Sequence, residues 1–546
     1  MTARDKLVVV ALIVLLAVTS GAAVITDAAS IGAPTAPAYG GTYVEGVAGV
    51  PQFLNPVIAA TNVDDDVASL VFSGLTRYDR DGAIVNDLAS AFRIEAEGKI
   101  WTFDLRRDAF WHDGVDVTAD DVLYTVGLLQ DKAYVGPFAD AFRGVKVERV
   151  TAKTVRFTLP DIYGPFADST TVPLLPAHLL GRVSYADLAR QPFNARPVGT
   201  GPFKVAEVDS RQISLVRSDD FYRIKPARTR PYLERIVFRF FRESTDALVA
   251  LARGEIDGVG GLTPVDAERA RGLKNVSLYS LPTSDFTGLF LNVRPEKAFF
   301  RDRVVRQAIA LAIDRGRVLQ VAADGRGVIA DQVVPRTSWA YERDVRRYVF
   351  NAAESRAMLD AADWRDHDGD GVRDKGGIAL AFTLSTSDEA GRVAAGIQVA
   401  EDLRAIGLKV ELRTMPFAEL VDRVARERTF DALLVGISRS GDPDPYEFFH
   451  SSQAKDPGHN FSGYSTLPID RSLENARRTF DQAKRKELYG PVFQQIATDV
   501  PVVFLYFSDY LYALNRQVQG IRITSIDDRT KRLWNIEDWY VKTTRG

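Results

Sequence analysis

The chain has 546 residues, more than a single hydrophobic core accommodates, so two or three domains are expected. Apolar residues make up 46% and charged residues 26% of it, with a net charge of −3, so no basic footprint for nucleic acid is present. With no cysteine, disulfides, thiolate metal sites and a cysteine nucleophile are excluded, and five scattered histidines leave little for a metal cluster.

At the N-terminus Arg4 and Lys6 precede an apolar run from Leu7 to Val18, and small residues follow through Ala23. This is a secretory signal pattern. Cleavage near Ala23 or Ala29 fits the small residues, while Leu7 to Ile25 is nearly long enough to span a bilayer if uncut. Residues 1–29 are therefore expected to be a signal peptide or an N-terminal membrane anchor, with the body outside the cytoplasm. Residues 30–39, with Pro34 and Pro37 among small residues, are expected as a linker.

From Tyr39 strand and helix patterns alternate, which points to mixed α/β domains. Trp101, Phe103 and Leu105 alternate with Thr102 and Asp104 as a half-buried strand. His112-Asp113-Gly114 supplies turn chemistry. Thr118 with Asp121 then forms a capping-box variant before the apolar face Val122, Leu123, Val126 and Leu129. Further strands are expected at Thr154 to Leu159, Gln212 to Val216 and Arg235 to Phe241. Helices are expected over Arg301 to Asp314 and up to Gly407, whose position suits a C′ stop, followed by strands at Leu408 to Leu412 and Phe430 to Val435. In Val198-Gly-Thr-Gly-Pro-Phe203 the glycines and Pro202 set a sharp turn; a phosphate loop would need a following Lys-Ser or Lys-Thr and a helix.

An ordered series of motifs spans about residues 40 to 510. It comprises Gly41-Thr-Tyr-Val-Glu45 with Gln52-Phe-Leu-Asn-Pro56, Phe72 to Asp79 with Asn86-Asp-Leu-Ala89, the 101–124 unit, Pro197 to Lys204, Arg253-Gly-Glu-Ile-Asp257, Leu291-Asn292, Val304 to Asp314, and Gly441-Asp-Pro-Asp-Pro445. Together these resemble the family 5 extracellular solute-binding proteins, the dipeptide- and oligopeptide-receptor group of ABC importers. The resemblance implies an α/β, two-lobed periplasmic-binding-protein-like fold of the larger type, with an extra domain inserted in the first lobe. Lobe I would comprise residues 40–73, 197–288 and 507–546, the inserted domain 74–196, and lobe II 289–506. It also implies a monomeric receptor that shuts around a small ligand, most simply a peptide, and hands it to the permease subunits of an ABC transporter.

In peptide-binding relatives one loop near the opening strand and one before the Asp-Pro-Asp motif hold the ligand. These map to Gly49, Val50 and Pro51, with Asn55 close by, and to Gly436 to Asp444. The family's aspartate for the ligand amine is missing from the second loop, which offers Ser438, Arg439 and Ser440 instead. A cation there would repel an ammonium group. Asp442 could take over that role, a peptide could be held differently, or the ligand could be an anionic compound, a sugar or a metal chelate. Phe286, Tyr446, Asn292 and Trp111 are further candidates for which packing or a turn competes. A membrane-anchored sensor is the alternative to an importer. A hydrolase lacks support, since no Gly-x-Ser-x-Gly elbow and no His-Glu-x-x-His helix is present, and no cofactor is implied.

Asp366, Asp368, Asp370 and Asp374 take positions 1, 3, 5 and 9 of a calcium-loop spacing, with glycine at 6. Position 12 is Gly377 rather than glutamate. The expectation is a structural Ca²⁺ or, equally simply, an acidic turn.

Overall fold

Two long strands run through the molecule, and both halves of it are hung on them. The computed structural model describes residues 35–80, 82–224, 229–295, 298–438, 441–523 and 526–545. In chain order the strands that frame the site are β1 (Thr42–Ala48), β2 (Ala89–Glu95), β3 (Ile100–Leu105), β4 (Lys146–Thr151), β5 (Thr154–Thr158), β6 (Phe203–Val208), β7 (Gln212–Arg217), β8 (Arg235–Phe241) and β9 (Gly258–Gly260). They continue with β10 (Val276–Leu291), β11 (Ala381–Ser387), β12 (Lys409–Met415), β13 (Ala432–Ile437) and β14 (Val502–Asn515).

An 11-stranded sheet has the order β12-β11-β13-β10-β14-β9-β1-β8-β7-β6, with Gly327–Ile329 also on β14. β10 and β14 are its antiparallel centre and belong to both lobes. The first half of β10 lies with β14 beside β9 and lobe I, whereas Phe286–Leu291 pairs with β13 in lobe II. Between the halves the register jumps from Pro282↔Asp509 to Phe286↔Phe507, so Thr283, Ser284 and Asp285 stand opposite Ser508 alone. Such a bulge bends and twists a strand pair, and it marks the boundary between the lobes.

In lobe I, parallel β8, β1 and β9 place one face against the helices Ser244–Ala252 and Pro264–Arg271, with Leu248, Leu251, Val259 and Ala267 between them. The other face carries Tyr43, Phe203, Ile213 and Trp539 in a core that continues into the inserted sheet β2-β3-β5-β4 through Trp101, Phe103 and Phe157. The inserted unit thus shares its core with lobe I. In lobe II, parallel β13, β11 and β12 bury Leu384 against Val399 and Leu403 of the helix Ala390–Arg404, while Phe290, Leu433 and Phe504 face Tyr489 and Phe493 on the opposite side. The two-lobed α/β fold expected from the motifs is the fold observed.

Local expectations are met closely in several places. Trp101, Phe103 and Leu105 are buried on β3, and Thr118 N donates to Asp121 Oδ2 at 2.8 Å before the helix Ala119–Leu129. The helix expected over 301–314 spans Arg303–Ala312, and Gly407 has φ +88°. One expectation is corrected: within the linker assigned to 30–39, Thr35–Ala38 pairs with Lys542–Arg545 as an antiparallel ribbon. Pro37 is tolerated there because the ribbon is an edge. The leader or anchor expected at 1–29 lies outside the described residues, and among the described residues no helix is long and apolar enough to cross a membrane.

Candidate functional site

In open α/β sheets ligands meet the loops at the carboxyl ends of the strands. The sheet register brings two such loops to one level. β1 runs level with β9 (Gly46↔Val259), and β9 with β14 (Gly260↔Tyr512), so residues just past Ala48 approach the Pro282/Asp509 bulge. From the other lobe Ile437 pairs with Phe286 at the far side of the same bulge. The loops after β1 and β13 therefore both emerge where the lobes join.

The first loop is held in an open shape. Gly49 has φ +96° with no atom within 4 Å of a built Cβ, and its N–H donates to Phe241 O at 2.8 Å. Val50 is 60% exposed. Behind it, Asp64 in the first turn of the helix Asn62–Val71 accepts from Gln52 N and Phe53 N at 2.8 and 3.0 Å, and from Ala60 N and Thr61 N. Asp64 is fully buried and sets the loop without reaching a ligand.

On the second loop Ser438 Oγ donates to Asp285 Oδ1 at 2.8 Å, tying the loop to the bulge in β10. Arg439 lies outside the described residues. Asp442 is gripped by Arg485, with Nη1 2.6 Å from Oδ2, and the Arg485 guanidinium lies 5.1 Å from the Trp339 ring. Asp444 is paired to Arg477, which lies 3.5 Å over the Tyr446 ring, and Tyr446 stacks on His450 at 4.1 Å. Both aspartates of the Gly-Asp-Pro-Asp-Pro motif are therefore neutralised inside lobe II. The expectation that Asp442 swings over to meet a ligand amine is corrected, because leaving Arg485 would strand a buried charge.

Two other expected contacts prove to be structural. Asn55 is fully buried, with Nδ2 on Asn194 Oδ1 at 3.1 Å and Oδ1 accepting from Val57 N, so it shapes a turn. Phe286 does sit at the junction, yet its ring is 1% exposed among Phe290, Phe448, Phe504 and Phe507. Asn292 and Trp111 are also buried, with donors satisfied by Phe430 O and Asp121 Oδ2. His112 clamps the Val198–Phe203 turn, Nδ1 accepting from Gly199 N at 3.2 Å and Nε2 lying 3.0 Å from Gly201 O. Burial pushes its pKa down to about 4.

Sequence reasoning passed over Arg392. It stands in the first turn of the helix Ala390–Arg404 and reaches across the end of the sheet to Thr287 Oγ1 at 2.5 Å and Tyr506 OH at 2.9 Å. A Cβ on Gly436 would collide with its Nη2 at 1.9 Å, so the glycine at the end of β13 makes room for it. Arg392 is half-buried and has no carboxylate partner among the described residues. One signal existed: a cation in the first turn opposes the positive end of the helix dipole and needs another reason to be there.

The lobes touch beyond the strands. Gly164 N donates to Arg477 O at 2.5 Å, Arg478 pairs with Asp161 at 3.2 Å, and Phe480 packs on Trp101 with centroids 5.5 Å apart. Beside them, Asp168 of the inserted unit accepts from Tyr78 OH and lies near Gly441 and Asp442.

Of the calcium-loop residues, Asp366, Asp368 and Asp370 bring carboxylate oxygens within 4.8 Å of one another on the surface. Asp374 does not join them; its two oxygens face His367 N at 3.0 Å and His367 Nδ1 at 3.2 Å. The gathered three also accept backbone N–H groups, Asp366 from Gly369 and Gly371, Asp368 from Asp370, and Asp370 from Val372.

Two lobes hung on a continuous strand pair, with a loop from each emerging at the join, define a two-lobed binding protein. The chain belongs to the bacterial extracellular solute-binding proteins, family 5, whose middle-region model matches residues 83–460. It is similar to the oligopeptide-binding protein AppA of Bacillus subtilis, with 30% identity over 518 residues and 92% of each chain covered. The structure of Bacillus subtilis AppA in complex with a nonapeptide matches with a TM-score of 0.76 at 29% identity, over 93% of this chain and 100% of that one. NikZ from Campylobacter jejuni in complex with Ni(L-His) matches with a TM-score of 0.76 at 26% identity, over 91% and 99%.

Proposed function

We propose that this protein captures a peptide between its lobes outside the cytoplasm and passes it, chemically unaltered, to the membrane subunits of an ABC importer. The observation that carries the reading is the strand pair β10/β14 with its bulge at Thr283–Asp285, the geometry from which one lobe can turn on the other. The nonapeptide in the AppA complex supports a peptide, since the match extends over nearly the whole of both chains. In this reading Arg392 receives a ligand carboxylate, the pairing its half-buried guanidinium lacks among the described residues. The loop at Gly49–Pro51 offers backbone groups to an extended chain, and Ser438 and Tyr446 border the opposite wall. The N-terminal 29 residues serve as the export signal or the anchor, and the receptor works as a monomer.

A second reading, a metal chelate as cargo, is favoured by the NikZ complex with Ni(L-His) and would use the same Arg392 on the chelator's carboxylate. Mass spectrometry of small molecules released from gently purified, then denatured protein separates the two. Peptides support the proposal; chelates alone replace it. Calcium at Asp366, Asp368 and Asp370 is a separate structural proposal, checked by a calcium-dependent rise in Tm that Asp368→Ala removes.

A further inference from the structure

A cavity of about 250 Å³ opens in lobe I against the inserted unit, and none of residues 49–51 or 436–446 lines it. Its walls carry the charged side chains Arg77, Asp87, Arg223, Lys531 and Glu537. Three of these are matched. Arg223 pairs with Asp87 at 3.3 Å, Asp87 also accepts from Tyr222 OH at 2.7 Å, and Lys531 pairs with Asp527 while lying 3.8 Å over the Tyr78 ring.

Arg77 and Glu537 are the exceptions. Arg77 donates through Nη1 to Tyr78 O at 3.1 Å, and no carboxylate stands within salt-bridge distance of it among the described residues. Glu537 keeps a buried Oε2 without a hydrogen-bond partner, and no cation is in contact with it among the described residues. Burial, and then the neighbouring Arg223, push the Arg77 pKa down, and the longer-range pull of Asp87 and Glu537 offsets this only in part. Two opposite charges that line one cavity and feel each other only at longer range, with no direct ion pair to either among the described residues, are complementary to a molecule bearing both.

We propose that this cavity binds a small zwitterion of the free amino-acid class, its carboxylate on Arg77 and its ammonium on Glu537. The volume falls just below the roughly 300–1,000 Å³ of drug-sized pockets, which suits one residue rather than a peptide. Leu70, Pro173 and Trp534 give the apolar wall that a side chain of such a ligand would meet.

The test uses the full chain and the fluorescence of Trp534, with L-alanine and L-leucine as probes and acetate and ethylammonium as single-charge controls. Saturable binding of the amino acids, at least about tenfold tighter than either control, is expected. Arg77→Gln and Glu537→Gln should each weaken it about tenfold or more with Tm little changed, while Arg392→Gln leaves it intact. Three outcomes overturn the proposal: no saturation by either amino acid, equal affinity for acetate and alanine, or loss of binding in Arg392→Gln, which would place the amino acid between the lobes. Should Arg77→Gln fold poorly, difference density for alanine in the cavity of soaked wild-type crystals decides, and an unchanged cavity rejects the site. Peptide capture between the lobes is scored separately and can fail or succeed without altering this result.

Discussion

Asp168 of the inserted unit lies beside Gly441 and within the field of Asp442 of lobe II, across the contact between the lobes. Arg485 compensates Asp442, and Asp168 has the Tyr78 hydroxyl. Burial first, and then the charge of Asp442, push Asp168 up to about 7.

This pair makes lobe contact depend on pH. Parting the lobes takes Asp168 away from the charge of Asp442 and lowers its pKa, so contact takes up a proton. The contribution is present at low pH and is lost as pH rises through about 7. Ligand-free protein should show a smaller radius of gyration by X-ray scattering at about pH 5.5 than at about pH 8.5, and Asp168→Asn should be compact at both. Equal radii for the wild type at the two pH values would refute the role.

Arg392 should discriminate ligands by charge. A charge-assisted hydrogen bond contributes about 1.5–3 kcal/mol, so Arg392→Gln should weaken a ligand with a free carboxylate about ten- to a hundredfold. The same ligand with its carboxylate amidated should bind both forms alike. Calorimetry with the two ligands checks this, and equal losses for both would reject the pairing.

The grip of Arg485 on Asp442 is structural. Arg485→Met takes the guanidinium away from a buried carboxylate and should cost about 3–5 kcal/mol in urea unfolding. Adding Asp442→Asn should recover most of the loss. A single variant as stable as wild type would mean that solvent already compensates the aspartate.

The Val198–Phe203 turn should be intolerant of bulk and sensitive to acid. A Cβ on Gly199 would sit 1.8 Å from Val71 O, so Gly199→Ala should lower stability by about 1–3 kcal/mol or more. His112 has its folded pKa lowered from 6.5 to about 4, so its contribution is present above 6.5 and lost as pH falls towards 4. The urea midpoint should drop across that window, and His112→Gln should flatten the drop.

Legibility followed the range of the interaction. The alternation at Trp101 to Leu105 and the Thr118/Asp121 cap were readable because each is settled within a few residues. The His112 turn was recognised as a turn, but its clamp on Gly199 and Gly201 spans nearly ninety positions and left no local trace. Phe286 is a candidate for which packing competes, and the pleat sends its ring into the core. Asp442 looked available because Arg485, forty-three residues on, is invisible to the motif that contains it.

Sequence by itself determined the class of the protein: the order of its motifs, the α/β alternation and the absence of thiols and catalytic elbows are properties of the chain read in one dimension. The tertiary structure alone decided which charges are matched. Among the described residues Arg392 and Arg77 make no direct ion pair while Asp442 and Asp444 have arginines, and this depends on distances between segments far apart in the chain. Desolvation makes that pairing matter, since a charge costs little in water and a great deal in a closed interior.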